Sequence, residues 1–210
     1  MYQPEIFQES RQDVLIDFIK QHPLATLIHF DGEEIIANHI PMQLLTLASG
    51  ELQLIGHIAK ANPLHTNIAN NSPTLAIFQA ENAYISPNWY PNKLVHHQHV
   101  PTWNYQVVHV RGKIEFSHDE KQIRGILAKL TRQHEATQAK PWKMSQAPKD
   151  YIANEIQQVV AITLSVDSMI GKFKLSQNRD AVDFQGAVDG LKSNGNVAIA
   201  EEMGRHYQTN

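Results

Sequence analysis

The chain has 210 residues, 42% of them hydrophobic and 19% charged, and its formal net charge is −3. It carries 12 His and no Cys, which excludes a disulfide framework, thiolate-bound zinc, Cys-ligated iron–sulfur clusters and a Cys nucleophile. The apolar share is enough for a sizeable core, and the near-neutral balance argues against broad phosphate-driven nucleic-acid binding.

The first residues, Met1-Tyr2-Gln3-Pro4-Glu5, do not form a basic segment followed by an apolar one, so no secretory signal is expected. The longest apolar runs, such as Val159–Leu164, have strand length, far below the roughly 18 residues of a membrane span. A soluble, cytoplasmic chain is expected. No Gly/Ser linker, low-complexity tract or fixed repeat divides the sequence, so one domain over 1–210 is expected, with a helical extension from about 178.

In chain order, Ser10 and Asp13 cap a helix whose Val14, Leu15, Phe18 and Ile19 recur at helical spacing until His22-Pro23. Leu24–Phe30 reads as a strand, and Asp31-Gly32 turns it into a second run, Glu34–Leu47. Pro41 within that run predicts an edge or a bulge. Ser49-Gly50 turns into Leu52–Ile58. A short helix is predicted over Pro63–Asn70, capped by Asn62. Leu75–Phe78 and Ala83–Ile85 read as two short strands. Pro87–Pro101 reads as a long exposed loop. Tyr105–Phe116 alternates polar and apolar residues with a period of two. Asp119–Gln138 is helical, with Ile123, Ile126, Leu127 and Leu130 on one face. A polar loop holding Pro141 and Pro148 leads to a β-branched strand, Gln158–Val166. From Asn178 onward the pattern predicts one or two amphipathic helices, broken at Asn194-Gly195. Short hairpins followed by a long-crossover strand predict a mainly β, α+β fold: a closed or split barrel of six to seven antiparallel strands with flanking helices.

Four constellations could carry chemistry. The stretch from Gly56 to Pro63 joins a buried strand to a helix start, where free N–H groups, Lys60 and His57 would suit a phosphate; an ordinary strand–helix corner is the alternative. Tyr84, Trp89, Tyr90, Trp103 and Tyr105 bracket one long loop, as a planar heteroaromatic ligand or a subunit interface would require, or as simple packing at a barrel mouth. In the third, Ile170–Arg179, alternation puts Lys172 and Lys174 on one face and Phe173 and Leu175 on the other; a solvated edge is the simpler reading. The fourth, His96-His97-Gln98-His99, lacks the converging partners of a metal centre, so solvated His and no metal site are expected. His29, His39 and His109 are expected to be hydrogen-bonded structural residues. No GxSxG, P-loop or GxGxxG motif occurs. A helix-turn-helix over 119–155 is disfavoured, because Ala136–Pro148 is too long and polar for its turn. No catalytic residue is assigned.

Several motifs occur in a fixed order: Met1-Tyr2-x-Pro4-x-x-Phe7, Asn38-His39-Ile40-Pro41, the Gly56–Pro63 stretch, Tyr84-Ile85-Ser86-Pro87-x-Trp89-Tyr90, Val100–Tyr105 and Lys172–Asn178. Together they resemble the PaiB family of FMN-binding negative transcriptional regulators, from residue 1 to about 192. The resemblance implies a split-barrel fold of the pyridoxamine-phosphate-oxidase type, a homodimer, and FMN in a groove between subunits. It places the FMN phosphate at His57, Ile58, Ala59 and Lys60, near Asn62. Trp103, Asn104, Tyr105, Lys172, Lys174, Ser176, Gln177 and Asn178 would line the flavin groove. The family name implies DNA binding, which neither the charge nor any motif supports. The His-rich loop between Tyr90 and Val100 departs from the family pattern and leaves room for a haem or metal variant. A flavin-linked regulator or sensor is the expected function, with an FMN-dependent oxidoreductase or a haem-binding or haem-degrading barrel as alternatives.

Overall fold

The computed structural model describes residues 1–207; the last three positions of the expected helical extension, 208–210, lie outside the described residues. Eight strands and seven α-helices follow one another as β1 (Gln8–Glu9), α1 (Gln12–Gln21), β2 (Leu24–Phe30), β3 (Ile35–Pro41), β4 (Gln43–Thr46), β5 (Leu52–Ala59), α2 (Leu64–Asn67), β6 (Ser72–Ile85), α3 (Lys93–His96), β7 (Thr102–Ser117), α4 (Glu120–Glu135), α5 (Lys149–Gln157), β8 (Val159–Lys174), α6 (Ala181–Ser193) and α7 (Val197–Tyr207). They form two compact units. One holds residues 1–15, 79–108 and those from Ile170 onward; the other holds 16–78 and 109–169.

β6, β7 and β8 also contribute residues to the first unit, but most of the barrel-strand residues belong to the second. The strand path runs β3-β2-β6-β7-β8-β5-β4. Its two ends, β3 and β4, are consecutive in sequence and separated only by Met42. β3 pairs antiparallel with β2, and β4 with β5. One continuous run thus closes the sheet on itself. The break falls where expected, because Pro41 has no N–H to donate, while Met42 is buried and its N–H donates to Pro23 O at 2.8 Å. Alternation along β2 turns Ala25, Leu27 and His29 inward. Gly112 of β7 permits the close approach of β8, since a Cβ there would lie 2.1 Å from Ser165 O. The expected split barrel is what the chain forms.

Two helices cover one outer face of this unit. Asp119 caps α4 by accepting from the Gln122 N–H at 2.7 Å. Ile123, Ile126 and Leu130 then pack with Ile55, Ile156 and Ala161. Ile156 belongs to α5, which lies inside the stretch expected to be a polar loop. That short helix is held by tertiary packing of Ile152 and Ile156 rather than by its own polar sequence. The two short strands expected around 75–85 are one strand, β6, whose middle residues Gln79–Asn82 are too polar to read as sheet. β8 also runs eight residues beyond the expected Val166.

In the first unit, β1 pairs with β8 at Gln8↔Lys172. Helices α6 and α7 bury Phe184, Ala187, Val188, Leu191, Ile199, Ala200 and Met203. They separate at Asn194-Gly195, as expected, with Gly195 at φ +80°. Asp180 caps α6 by accepting from the Val182 and Asp183 N–H groups at 3.1 and 2.9 Å. Trp89 lies against α6 where Gly186 and Gly190 leave room.

Candidate functional site

Pairing with β8 fixes the end of β5 at His57↔Ala161, Ile58↔Val160 and Ala59↔Val159. Period two then places Ile58 in the core and His57 and Ala59 on the opposite face. The buried side chain of Ile58 is therefore closed to a ligand. The turn that follows is tightly bonded. Lys60 N–H donates to Gln158 O at 2.7 Å, and Asn62 N–H to Ala59 O at 2.9 Å. The Asn62 amide accepts from Leu64 N–H at 3.0 Å and donates to Asn38 Oδ1 at 2.9 Å. The chain leaves helical geometry at Ile68, with φ −124° and ψ 142°, so α2 has four residues instead of the eight expected.

These bonds change what the turn can offer an anion. Three of its N–H groups are already used within the chain, and so short a helix adds little dipole. What remains is the exposed Lys60 ammonium, which is in no ion pair among the described residues. Beside it in sequence stands His57, whose Nδ1 is buried with no hydrogen-bond partner. Burial lowers the His57 pKa, so the ring is neutral. An uncompensated ammonium and an orphaned ring nitrogen fit a phosphate-bearing ligand. Asn38 holds the turn from β3, a role that nothing local in its sequence signals.

The other expected residues lie in the first unit, and the structure brings them together. Asn104 is fully buried and forms a reciprocal pair with Ser176: its Nδ2 donates to Ser176 Oγ at 2.9 Å, and that hydroxyl donates back to Asn104 Oδ1 at 3.2 Å. Ser176 holds a left-handed φ of 64°. Gln177 closes the same bend, accepting from Leu175 N–H at 2.7 Å and donating to Phe173 O at 2.5 Å. Lys172 Nζ donates to Tyr2 O at 3.1 Å and sits 5.5 Å from the ring centres of both Tyr2 and Tyr105. Lys174 Nζ donates to Trp103 O at 2.8 Å and to the Thr102 hydroxyl. Burial, together with the nearby Lys172 and Arg179 charges, lowers the Lys174 pKa. Trp103 is 53% exposed and meets Tyr84 edge-on at 6.1 Å. Asn178 is exposed. Asn104, Ser176 and Gln177 thus build the bend, Lys172 is buried beside it, and Trp103, Tyr105, Lys174 and Asn178 offer two rings, a cation and an amide.

The His-rich loop is partly tied down. His99 Nε2 lies 2.8 Å from Asp183 Oδ2, and Nδ1 accepts from Arg179 at 3.3 Å. The Tyr90 ring lies tilted against His99, with 4.6 Å between ring centres. Asp183 also accepts from Asn92 N–H at 3.0 Å. His96 and His97 face solvent. Among the described residues no group of three or more His, Cys, Asp or Glu could hold a metal ion. Of the three strand histidines, His39 is bonded as expected, 3.1 Å from Thr26 Oγ1. His29 is not: both of its nitrogens are buried without partners, and so is Nδ1 of His109. Strand position alone predicts burial but not the presence of a partner.

Residues 1–168 match a family model described as "Putative FMN-binding domain". The chain is 26% identical over 196 residues to the "Protease synthase and sporulation protein PAI 2" of Bacillus subtilis, covering 93% of this chain and 91% of that protein. In fold it is similar to the FAD and haem binding protein of Mycobacterium smegmatis, with TM-score 0.59 and 17% identity over 80% of this chain and 73% of that one. It is also similar to the flavocytochrome Anf3 of Azotobacter vinelandii, with TM-score 0.60 and 14% identity over 80% and 69% of the two chains. Ordered motifs, barrel closure and a family match over most of the length agree: the chain belongs to the FMN-binding domain family and is a flavin-binding split-barrel protein.

Proposed function

We propose that the chain is a flavin-linked regulator or sensor that seats the FMN phosphate at the Lys60 turn. The observation that carries this reading is Lys60, an exposed ammonium without a counter-charge beside the Asn62–Asn38 clamp. Lys60 would hold the phosphate, His57 and the main chain of Ile58 and Ala59 would border it, and Asn62 would keep the turn in shape. In a homodimer, Trp103, Tyr105, Lys172, Lys174 and Asn178 of the second copy would face the ring system. The exposed Trp103 ring and the Lys174 cation among them suit a planar anionic ligand, and Asn104, Ser176 and Gln177 would support them from beneath. When bound, FMN supplies one- and two-electron redox chemistry; the protein supplies orientation and electrostatics.

The regulatory output rests on likeness to a relative whose name includes sporulation. A net charge of −3 sits poorly with direct operator binding. The test is a comparative titration with FMN and riboflavin, with the oligomeric state measured alongside. FMN binding far tighter than riboflavin, by a dimer, supports the reading. Equal affinities, or a monomer at saturation, overturn it. Steady flavin-dependent turnover of a reduced nicotinamide would instead favour an oxidoreductase.

A further inference from the structure

The outer face of strands β3, β2 and β6 departs from the pattern of a sheet with one wet side. Register sets the rows that share this face. Ile28 of β2 stands between Ala37 and Leu75, Phe30 faces Ile35, and Leu24 faces Pro41. The remaining row is His39, Thr26 and Ile77. No position in these rows is charged, and only Thr26 and His39 are polar. The inner face of the same strands holds Ala25, Leu27, Ile40, Ala76 and Phe78, all buried. Strands that are apolar on both faces belong to sheets covered on both. Yet Leu24, Phe30 and Ile35 stand 59%, 61% and 75% exposed, and helices α4 and α5 pack with Ile55 of β5 and Ala161 of β8 instead.

Two features fit this face to a second copy of the same chain. It can be covered at little polar cost. Thr26 Oγ1 and His39 Nδ1 lie 3.1 Å apart and engage each other, so burial leaves one ring nitrogen, His39 Nε2, to find a partner, and no charge to desolvate. Opposite charges also flank it. The β2–β3 turn carries Asp31, Glu33 and Glu34 and no cation. On the other flank, β7 follows β6 in the sheet and presents exposed Arg111 and Lys113. Arg111 borders one groove with Phe30 and Ile35, which sets it at the same end of the strands as the turn. Glu33, Glu34, Arg111 and Lys113 are in no ion pair among the described residues. A two-fold axis lying along the strands, between two stacked faces, carries each acidic turn onto the cationic strand of the other copy. A lipid surface, or a partner of one charge sign, would match only one flank.

We propose that two copies of this chain stack through the outer face of β3, β2 and β6, with the acidic turn of each against Arg111 and Lys113 of the other. Resting on the homodimer that the flavin reading calls for, this surface names where the copies meet, and it is independent of where the phosphate sits.

Sedimentation equilibrium of the full chain, with and without FMN, reads the assembly. A dimer is expected in both states. Leu24→Lys and Ile35→Lys, both at exposed positions, should keep the wild-type circular dichroism spectrum and raise the dimer dissociation constant at least about 100-fold, since each buries an unpaired charge. Arg111→Glu should weaken the dimer about tenfold by setting like charges against each other, and adding Glu33→Lys with Glu34→Lys should restore it. A dimer untouched by both lysine variants, or charge reversals that never compensate, would overturn this surface while leaving Lys60 as the phosphate contact. A monomer in both states at every concentration would overturn it together with the homodimer of the flavin reading. Flotation of the wild type, but not of Ile35→Lys, with phosphatidylcholine vesicles would give the face to a lipid surface instead.

Discussion

Asn104→Ala separates scaffold from ligand contact in the cationic cluster. The wild-type amide is fully buried and exchanges two hydrogen bonds with Ser176 Oγ, with Met203 Sδ a further 3.3 Å contact of its Nδ2. Truncation strands a hydroxyl on Ser176, which is itself buried. An unsatisfied buried hydroxyl costs about 1–3 kcal/mol, and the vacated amide volume adds about 1 more, giving a loss of about 2–4 kcal/mol. Ser176→Ala leaves the amide stranded instead, and the double variant removes both orphans. The double variant should therefore be more stable than the sum of the singles implies, with a coupling of about 1–2 kcal/mol. Urea unfolding at constant m-value reads the stability, and an FMN titration of the folded protein reads the site. Asn104→Ala should unfold more easily while binding FMN within about twofold of wild type. Unchanged stability with a large loss of FMN affinity would show that the amide faces the ligand and refute this reasoning.

Three further outcomes follow from the geometry. Asn38→Ala removes the clamp on Asn62 and should cost about 1 kcal/mol, with FMN weakened and riboflavin unaffected; equal effects on both flavins would dissociate the clamp from the phosphate. Gly190→Ala would place a Cβ 2.2 Å from Trp89 Cδ2, so urea midpoints should fall by the equivalent of about 1–3 kcal/mol, and an unchanged midpoint would mean that Trp89 moves freely. Burial lowers the pKa of His29, His57, His109 and His206 in the folded state. The unfolded chain therefore takes up protons first, and stability is full above about pH 6.5 and falls as pH drops below it. The thermal midpoint should be flat from about pH 7 to 8 and decline before the carboxylate range near pH 4; a flat profile down to that range would contradict the assignment.

Much of the barrel was legible because its signals are local. Pro41 marks the break that lets one run serve two strands, the period-two pattern of 105–116 fixes β7, and Asn194-Gly195 separates the last helices. What sequence concealed depends on partners distant in the chain. Helix α5 exists because Ile152 and Ile156 find the α4 cluster, not because its residues favour helix. Gln79–Asn82 join a strand through backbone pairing that their polarity hides. The site was legible as motifs but not as roles. Nothing in the string separates Asn104 and Ser176, which bond each other, and Gln177, which bonds the backbone of its own bend, from Lys174 and Trp103, which present a cation and a ring. The Asn38–Asn62 bond joins residues 24 apart, and the missing partners of His29 are visible only once the strands are assembled.

On the reading proposed above, Lys60 and its turn receive the phosphate of FMN. The most direct measurement is the ratio of FMN to riboflavin affinity in wild type and in Lys60→Ala, read by flavin fluorescence. A charge-assisted contact of about 1.5–3 kcal/mol predicts that FMN weakens about 10- to 150-fold while riboflavin is unchanged, so the preference for FMN collapses. An undiminished preference in the variant would mean that the phosphate sits elsewhere.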